Sequence, residues 1–127
     1  MRALLDTSVL IGSRSPGDLE GAISAASLAE LHFGVLVAPD LDERARRGLR
    51  LGVIEATFDP LPLDAAVARE WGRLAAAVTA RGGRPRRRAM DLASAATANV
   101  ARVPLVTRNA ADFQLIADLV QVQAPRA

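Results

Sequence analysis

This chain of 127 residues predicts an α/β domain built in three layers, a parallel sheet flanked by helices. Three observations carry that class. Short apolar runs alternate with longer stretches of helical period from one end of the sequence to the other. No Asn-Gly or Asp-Gly pair joins two apolar runs, so the two-residue hairpins of antiparallel sheets are not signalled. Half of the residues are apolar, enough to supply a core for one domain of this size, and neither a repeat nor a linker divides it.

The elements follow in order. Residues 2–6 read as a short buried strand ending at Asp6, and residues 7–12 as a tight turn and a helical turn. Ser15-Pro16-Gly17-Asp18 is a loop, and residues 21–24 form a second short strand. Ser27 then caps a helix carrying Leu28, Ala29, Leu31, Phe33 and Leu36, which ends before Pro39. Asp40 starts another helix through Arg50, with Leu41, Ala45, Leu49 and Val53 on one stripe. Residues 57–63 are extended but broken by Pro60 and Pro62, as suits a weak or edge strand.

Asp64 caps a long helix with Val67, Trp71, Leu74 and Val78 on one side, a stripe that serves either the core or a dimer face. That helix stops at Gly82-Gly83. Residues 84–88 form a basic loop, and residues 89–101 a helix of mostly small residues. Residues 103–107 make a strand, Asn109 caps a short helix, and residues 119–122 make the last strand.

Several classes are excluded by composition. Without cysteine there is no disulfide, no thiolate-bound zinc and no thiol nucleophile. No apolar run approaches the roughly 20 residues that cross a bilayer. The first residues run directly into Asp6 and do not resemble a signal peptide, so a cytoplasmic protein is expected. All 16 basic residues are arginine, a bias that a GC-rich genome explains. Its physical consequence is a supply of flat, bidentate forks suited to phosphate.

Four acids stand where a metal-dependent nuclease needs carboxylates: Asp6, Glu30, Asp91 and Asp112. Oxygen ligands of this kind hold Mg²⁺ and Mn²⁺. Each also has a plain structural reading. Asp6 directly follows an apolar strand, yet it can serve as an N-cap. Glu30 matches the third position of a capping box opened by Ser27, and Asp112 that of a box opened by Asn109. Asp91 is favoured in a first helical turn by the macrodipole alone, although Ser94, Ala95 and Ala98 on its face leave room for a ligand.

His32, two residues beyond Glu30, faces elsewhere on its helix and reads as a surface histidine. Phe33, Phe58 and Trp71 read as core or interface residues, so contacts to RNA are expected through backbone and shape rather than base stacking. With four of the 14 acids neutralised by metal, ten remain against 16 arginines, a basic balance that suits a nucleic-acid partner.

LLDTSVLI near the start, SLAELHFG, MDLASAATA and PLVTRNAADF near the end occur in an order and spacing that resemble the PIN domain. The likeness is greatest to the VapC-type toxins of bacterial toxin–antitoxin pairs and spans nearly the whole chain. It implies a parallel sheet of about five strands flanked by helices. It implies a Mg²⁺- or Mn²⁺-dependent ribonuclease with Asp6, Glu30, Asp91 and Asp112 as the acidic metal site. Thr7 or Ser8, Thr107 and Asn109 become the polar supports of those carboxylates.

The resemblance also implies a homodimer, a VapB-like antitoxin that covers the site, and operator DNA bound only through that antitoxin. Two departures stand out. Only 24 positions separate Asp6 from Glu30, so the helical region between them must be abbreviated. Ser94 occupies a position where the family usually carries a branched aliphatic residue, a change expected to loosen packing.

The expected activity is therefore hydrolysis of structured RNA, transfer or ribosomal, to 3′-hydroxyl and 5′-phosphate ends. Arg84, Arg86, Arg87 and Arg88 are the expected RNA contacts, since this basic run leads into Asp91. A haloacid-dehalogenase-like phosphatase needs a second acid two residues after its nucleophile, and that position is Ser8. A dinucleotide or P-loop enzyme needs a glycine-rich turn after the first strand, which is absent. The alternative from another class is a binding module for RNA or antitoxin with little catalysis, taking part in operon autoregulation.

Overall fold

The computed structural model describes residues 2–126. Three short parallel strands form the sheet centre: β1 (Leu4–Leu5), β2 (Leu105–Val106) and β3 (Val122–Gln123), in that spatial order. Two isolated parallel bridges extend it on the far side of β1, pairing Leu4 with Ala22 and Ser24 with Leu61. Five segments thus lie side by side, all parallel, as expected. The outer segments at 21–24 and near Leu61 are single bridges rather than full strands. The last strand lies at Val122–Gln123 rather than 119–122, because Val120 turns into the core.

The helices are α1 (Thr7–Gly12), α2 (Ala25–Leu36), α3 (Leu41–Thr57), α4 (Ala65–Ala80) and α5 (Ala89–Ala101). Three 3₁₀ segments, Pro16–Asp18, Pro85–Arg88 and the longer Ala110–Ile116, join them. Residues 84–88 are therefore not a plain loop but a turn that feeds directly into α5. Among the described residues no helix is long and apolar enough to cross a membrane.

Strand side chains alternate between two cores. Leu4 and Leu105 pack with α4, α5, Phe113 and Ile116. Their neighbours Leu5 and Val106 pack on the other face with Val9, Leu10, Leu31, Leu51 and Ile54 from α1, α2 and α3. Burial on both faces gives the three-layer arrangement of a parallel sheet. Ala95, Ala96 and Ala98 are fully buried, and their small size lets α5 lie close against both sheet and α4.

Two local expectations are corrected. The cap of α2 is Ser24, whose hydroxyl accepts from the Ser27 amide; Ser27 itself lies inside the first turn. On α3 the inward residues are Leu51 and Ile54, while Leu41, Ala45, Leu49 and Val53 face outward. That apolar stripe lost because α3 meets the core only through its C-terminal half. Of the aromatics read as core or interface, Phe33 is exposed, while Phe58 and Trp71 are partly buried, with the Trp71 indole donating to the Ala89 carbonyl.

Candidate active site

The path of the chain places the site. From β1 it runs outward to the 22–24 segment and to Leu61, then returns to the opposite side of β1 as β2. The order reverses between β1 and β2, and ligands of open α/β sheets bind at such a switch point, beyond the carboxyl ends of the strands. Asp6 follows β1 and Thr107 follows β2, side by side.

Asp6 is buried. It occupies the N-cap position of α1 yet makes no cap bond. Both of its hydrogen bonds fall on Oδ2, from Thr107 Oγ1 at 2.8 Å and Ser8 Oγ at 2.9 Å. Oδ1 therefore keeps its lone pairs for another ligand. The supports are themselves anchored: the Arg108 amide donates to Ser8 Oγ and the Asn109 amide to Thr107 Oγ1, each at 3.0 Å. Asn109 thus contributes through its backbone, and its side chain makes no cap bond, contrary to its expected role.

Thr7 serves a different carboxylate. Its hydroxyl bonds Glu30 Oε1 at 2.8 Å and Ser27 Oγ at 2.9 Å. The sequence left Thr7 and Ser8 as alternatives; the fold uses both, Ser8 for Asp6 and Thr7 for Glu30. With Ser24 as the true cap, Glu30 lies beyond the capping-box position, and that structural explanation for it falls away. Ser94 is fully buried and pairs with Ser24 Oγ at 3.3 Å, so it ties the start of α2 to α5 rather than loosening the packing. The abbreviation between Asp6 and Glu30 is visible in α1, which has six residues.

Electrostatics shows how close the acids are. The carboxyl of Asp91 is pushed up to about 6, first by burial and then by the charges of Asp6, Asp112 and Glu30, with Arg88 opposing. Glu30 is also raised, chiefly by burial and in smaller part by Asp6, against the hydrogen bond from Thr7. Like charges this near one another favour a cation or a proton between them.

The four predicted acids are thus brought into one neighbourhood. Among the described residues no three of them converge tightly enough to ligate one ion as they stand. Arg88 accounts for part of this, with Nη1 2.9 Å from Asp112 and 3.5 Å from Asp91. The donor set, all carboxylate oxygen with hydroxyl supports, fits a hard divalent cation.

A groove of about 420 Å³ reaches Asp91 and Asp112 between Arg84, Arg87 and Arg88. Arg86 is exposed and does not line it. His32 is outside the cluster and bonds Glu55 on the surface at 3.0 Å.

A family model of the PIN domain matches residues 3–119. The chain belongs to the PIN-domain family. Among similar proteins, Ribonuclease VapC5 of Mycobacterium tuberculosis is 36% identical over 113 residues, 84% of this chain and 82% of the relative. Ribonuclease VapC8 of the same species is 36% identical over 102 residues, 76% of this chain and 90% of that one. Within the PIN-domain family the chain therefore groups with the VapC proteins.

Solved structures agree on the fold. The toxin–antitoxin structure VapBC-5 from M. tuberculosis gives a TM-score of 0.80 at 33% identity, covering all of both chains. VapBC2 from Rickettsia felis, solved bound to a promoter DNA fragment, gives 0.75 at 21% identity and supports the fold alone, covering 99% of this chain and 100% of that one.

Proposed function

We propose that this PIN-domain chain is a Mg²⁺- or Mn²⁺-dependent endoribonuclease and the toxin of a toxin–antitoxin pair, cutting structured RNA to 3′-hydroxyl and 5′-phosphate ends. Its family is that of the VapC ribonucleases, and the catalytic group is Asp6, Glu30, Asp91 and Asp112. The observation that supports the metal dependence is the grouping of four carboxylates at the carboxyl ends of the strands, close enough that Asp91 is raised by burial and then by the charges of the other three. A site that cannot hold all its negative charge unaided is suited to a divalent cation.

Those four carboxylates would hold the cation, which when bound would neutralise charge on a phosphodiester and acidify a water for attack. The remaining work belongs to the chain. Ser8 and Thr107 fix Asp6, and Thr7 fixes Glu30, each by donating to the carboxylate. Arg88 can release Asp112 and turn its fork to a phosphate oxygen. The lone histidine lies away from the carboxylates, so a pair of imidazoles passing through a cyclic phosphate is not on offer. Water attacking the phosphorus in line, with the 3′ oxygen as leaving group, leaves a 3′ hydroxyl and keeps the phosphate on the 5′ end.

The relatives crystallised with antitoxins support a VapB-like partner here, with operator DNA reached through it, and the same reading takes the chain as a homodimer. Transfer or ribosomal RNA is the expected substrate class.

The test is cleavage of total bacterial RNA by antitoxin-free protein in Mg²⁺ or Mn²⁺. Discrete cuts with 5′-phosphate ends, lost in EDTA and in Asp91→Asn, are expected. A folded, metal-loaded protein that leaves all RNA intact would instead support a binding module.

A further inference from the structure

The inward face of α3 carries charge. At about 3.6 residues per turn, Arg47 and Arg50 share the side of α3 that holds Ile54 against the core. Surface helices ordinarily turn arginine the other way. Here the two line a groove of about 320 Å³ with Glu30, Leu31 and Gly34. This groove reaches the carboxylate cluster at its Glu30 edge, whereas the one lined by Arg84, Arg87 and Arg88 reaches it at Asp91 and Asp112.

The two arginines are held differently. Arg47 is fastened, donating from Nη1 to the Gly34 carbonyl at 2.7 Å and lying 3.6 Å from Glu43. Arg50 is not. Its Nε is buried and has no hydrogen-bond partner among the described residues. Its Nη1 reaches the Ile11 carbonyl only at 3.4 Å. Glu43, the other acid on the groove, is engaged by Arg46 at 3.0 Å. One residue beyond Ile11, the Gly12 carbonyl accepts a similarly long contact, 3.4 Å, from Arg108, which does not line the groove. A buried guanidinium nitrogen without an acceptor is costly, and the half-exposed remainder of the fork is free to turn to an anion with several oxygens.

Glu30 repels such an anion while its own charge is bare. Once a cation neutralises the carboxylate cluster, the Arg50 groove becomes favourable to a phosphate. We propose that Arg50 binds a backbone phosphate of the RNA strand beside the scissile one, so that the strand crosses the carboxylates between two arginine-lined grooves. This rests on the ribonuclease reading and extends it to the side of the site opposite the basic run at 84–88. The contact reads the backbone and not the base, so it is independent of sequence.

Fluorescence anisotropy tests it, with a labelled single-stranded RNA of mixed sequence and the parent protein loaded with Ca²⁺ in place of Mg²⁺ to hold back cleavage. Arg50→Ala and the longer Arg50→Gln should each weaken binding about tenfold. Each should also lower the slope of log K against log salt by about 0.7, the loss of one single-strand phosphate contact. Arg50→Lys should retain most of the slope, and Arg46→Ala, outward on the same helix, should match the parent. If Arg50→Ala and Arg50→Gln bind like the parent while Arg88→Ala weakens binding, the strand uses only the other groove and the proposal is overturned. If the parent binds no RNA in Ca²⁺ and cuts none in Mg²⁺ or Mn²⁺, the ribonuclease reading fails together with it.

Discussion

Asp91 is the residue whose chemistry is most exposed to test. Its folded value near 6 exceeds the ordinary 3.8. Between those values the folded chain holds more protons than the unfolded chain, so its stability falls as pH rises through that window. Metal-free protein and Asp91→Asn should therefore melt at similar temperatures near pH 4. By pH 7 the variant should be the more stable. Mn²⁺ should raise the melting temperature of the parent above pH 6 and leave the variant nearly unmoved. A gap that is constant with pH would contradict a carboxyl raised by burial and by its acidic neighbours.

Thr107→Val tests the support of Asp6. Losing a buried hydrogen bond to a carboxylate should cost about 1.5–3 kcal/mol in urea unfolding and weaken Mn²⁺ binding. Of the site residues, Asp6 was legible in sequence because a carboxylate behind an apolar strand has few other uses. Asn109 was misread because a side-chain role and a backbone role look alike in sequence. Arg47 and Arg50 went unnoticed, since nothing in a sequence of exposed arginines marks which of them turns inward.

At the scale of elements, boundaries were more legible than faces. The helix 89–101 and the Asp64 cap stand as expected, because small residues and an aspartate before an amphipathic run are local signals. The start of α2 was displaced because Ser24 and Ser27 both qualify as caps and only packing against Ser94 chooses between them. Ser24→Ala should cost about 1–3 kcal/mol, since it removes a cap and orphans a buried hydroxyl; the readout is denaturant unfolding. At the other end of α5, Arg102 adopts the left-handed conformation with φ 58°, and the amides of Arg102 and Val103 bond back to Asn99 and Ala98. Glycine suits that position without steric cost. Arg102→Gly should stabilise the protein by about 0.5–1 kcal/mol, with activity unchanged.

For the whole molecule, the apolar runs leading to Asp6 and Thr107 were legible as strands, and the fold sets them side by side at the sheet centre. The sequence did not reveal the surface. Phe33 is 65% exposed, Leu36 67% and Leu41 83%, around the connection between α2 and α3. A solitary chain rarely leaves such residues together in water. If they belong to the expected homodimer, antitoxin-free protein should run at twice the chain mass by light scattering, and Phe33→Ser with Leu36→Ser should shift it to the monomer. A parent that is already monomeric would refute that dimer.

The centre of the sheet also sets a timetable. Asp6 and the hydroxyl that orients it are 101 residues apart in sequence. Asp6 therefore leaves the ribosome long before its partner. At about 5–20 residues per second the wait is roughly 5–20 s, during which β1 has no β2 to pair with and the carboxylates have no common neighbourhood. On the ribonuclease reading proposed above, each new molecule is thus inactive for most of its own synthesis, and its activity begins only when the second half of the sheet arrives.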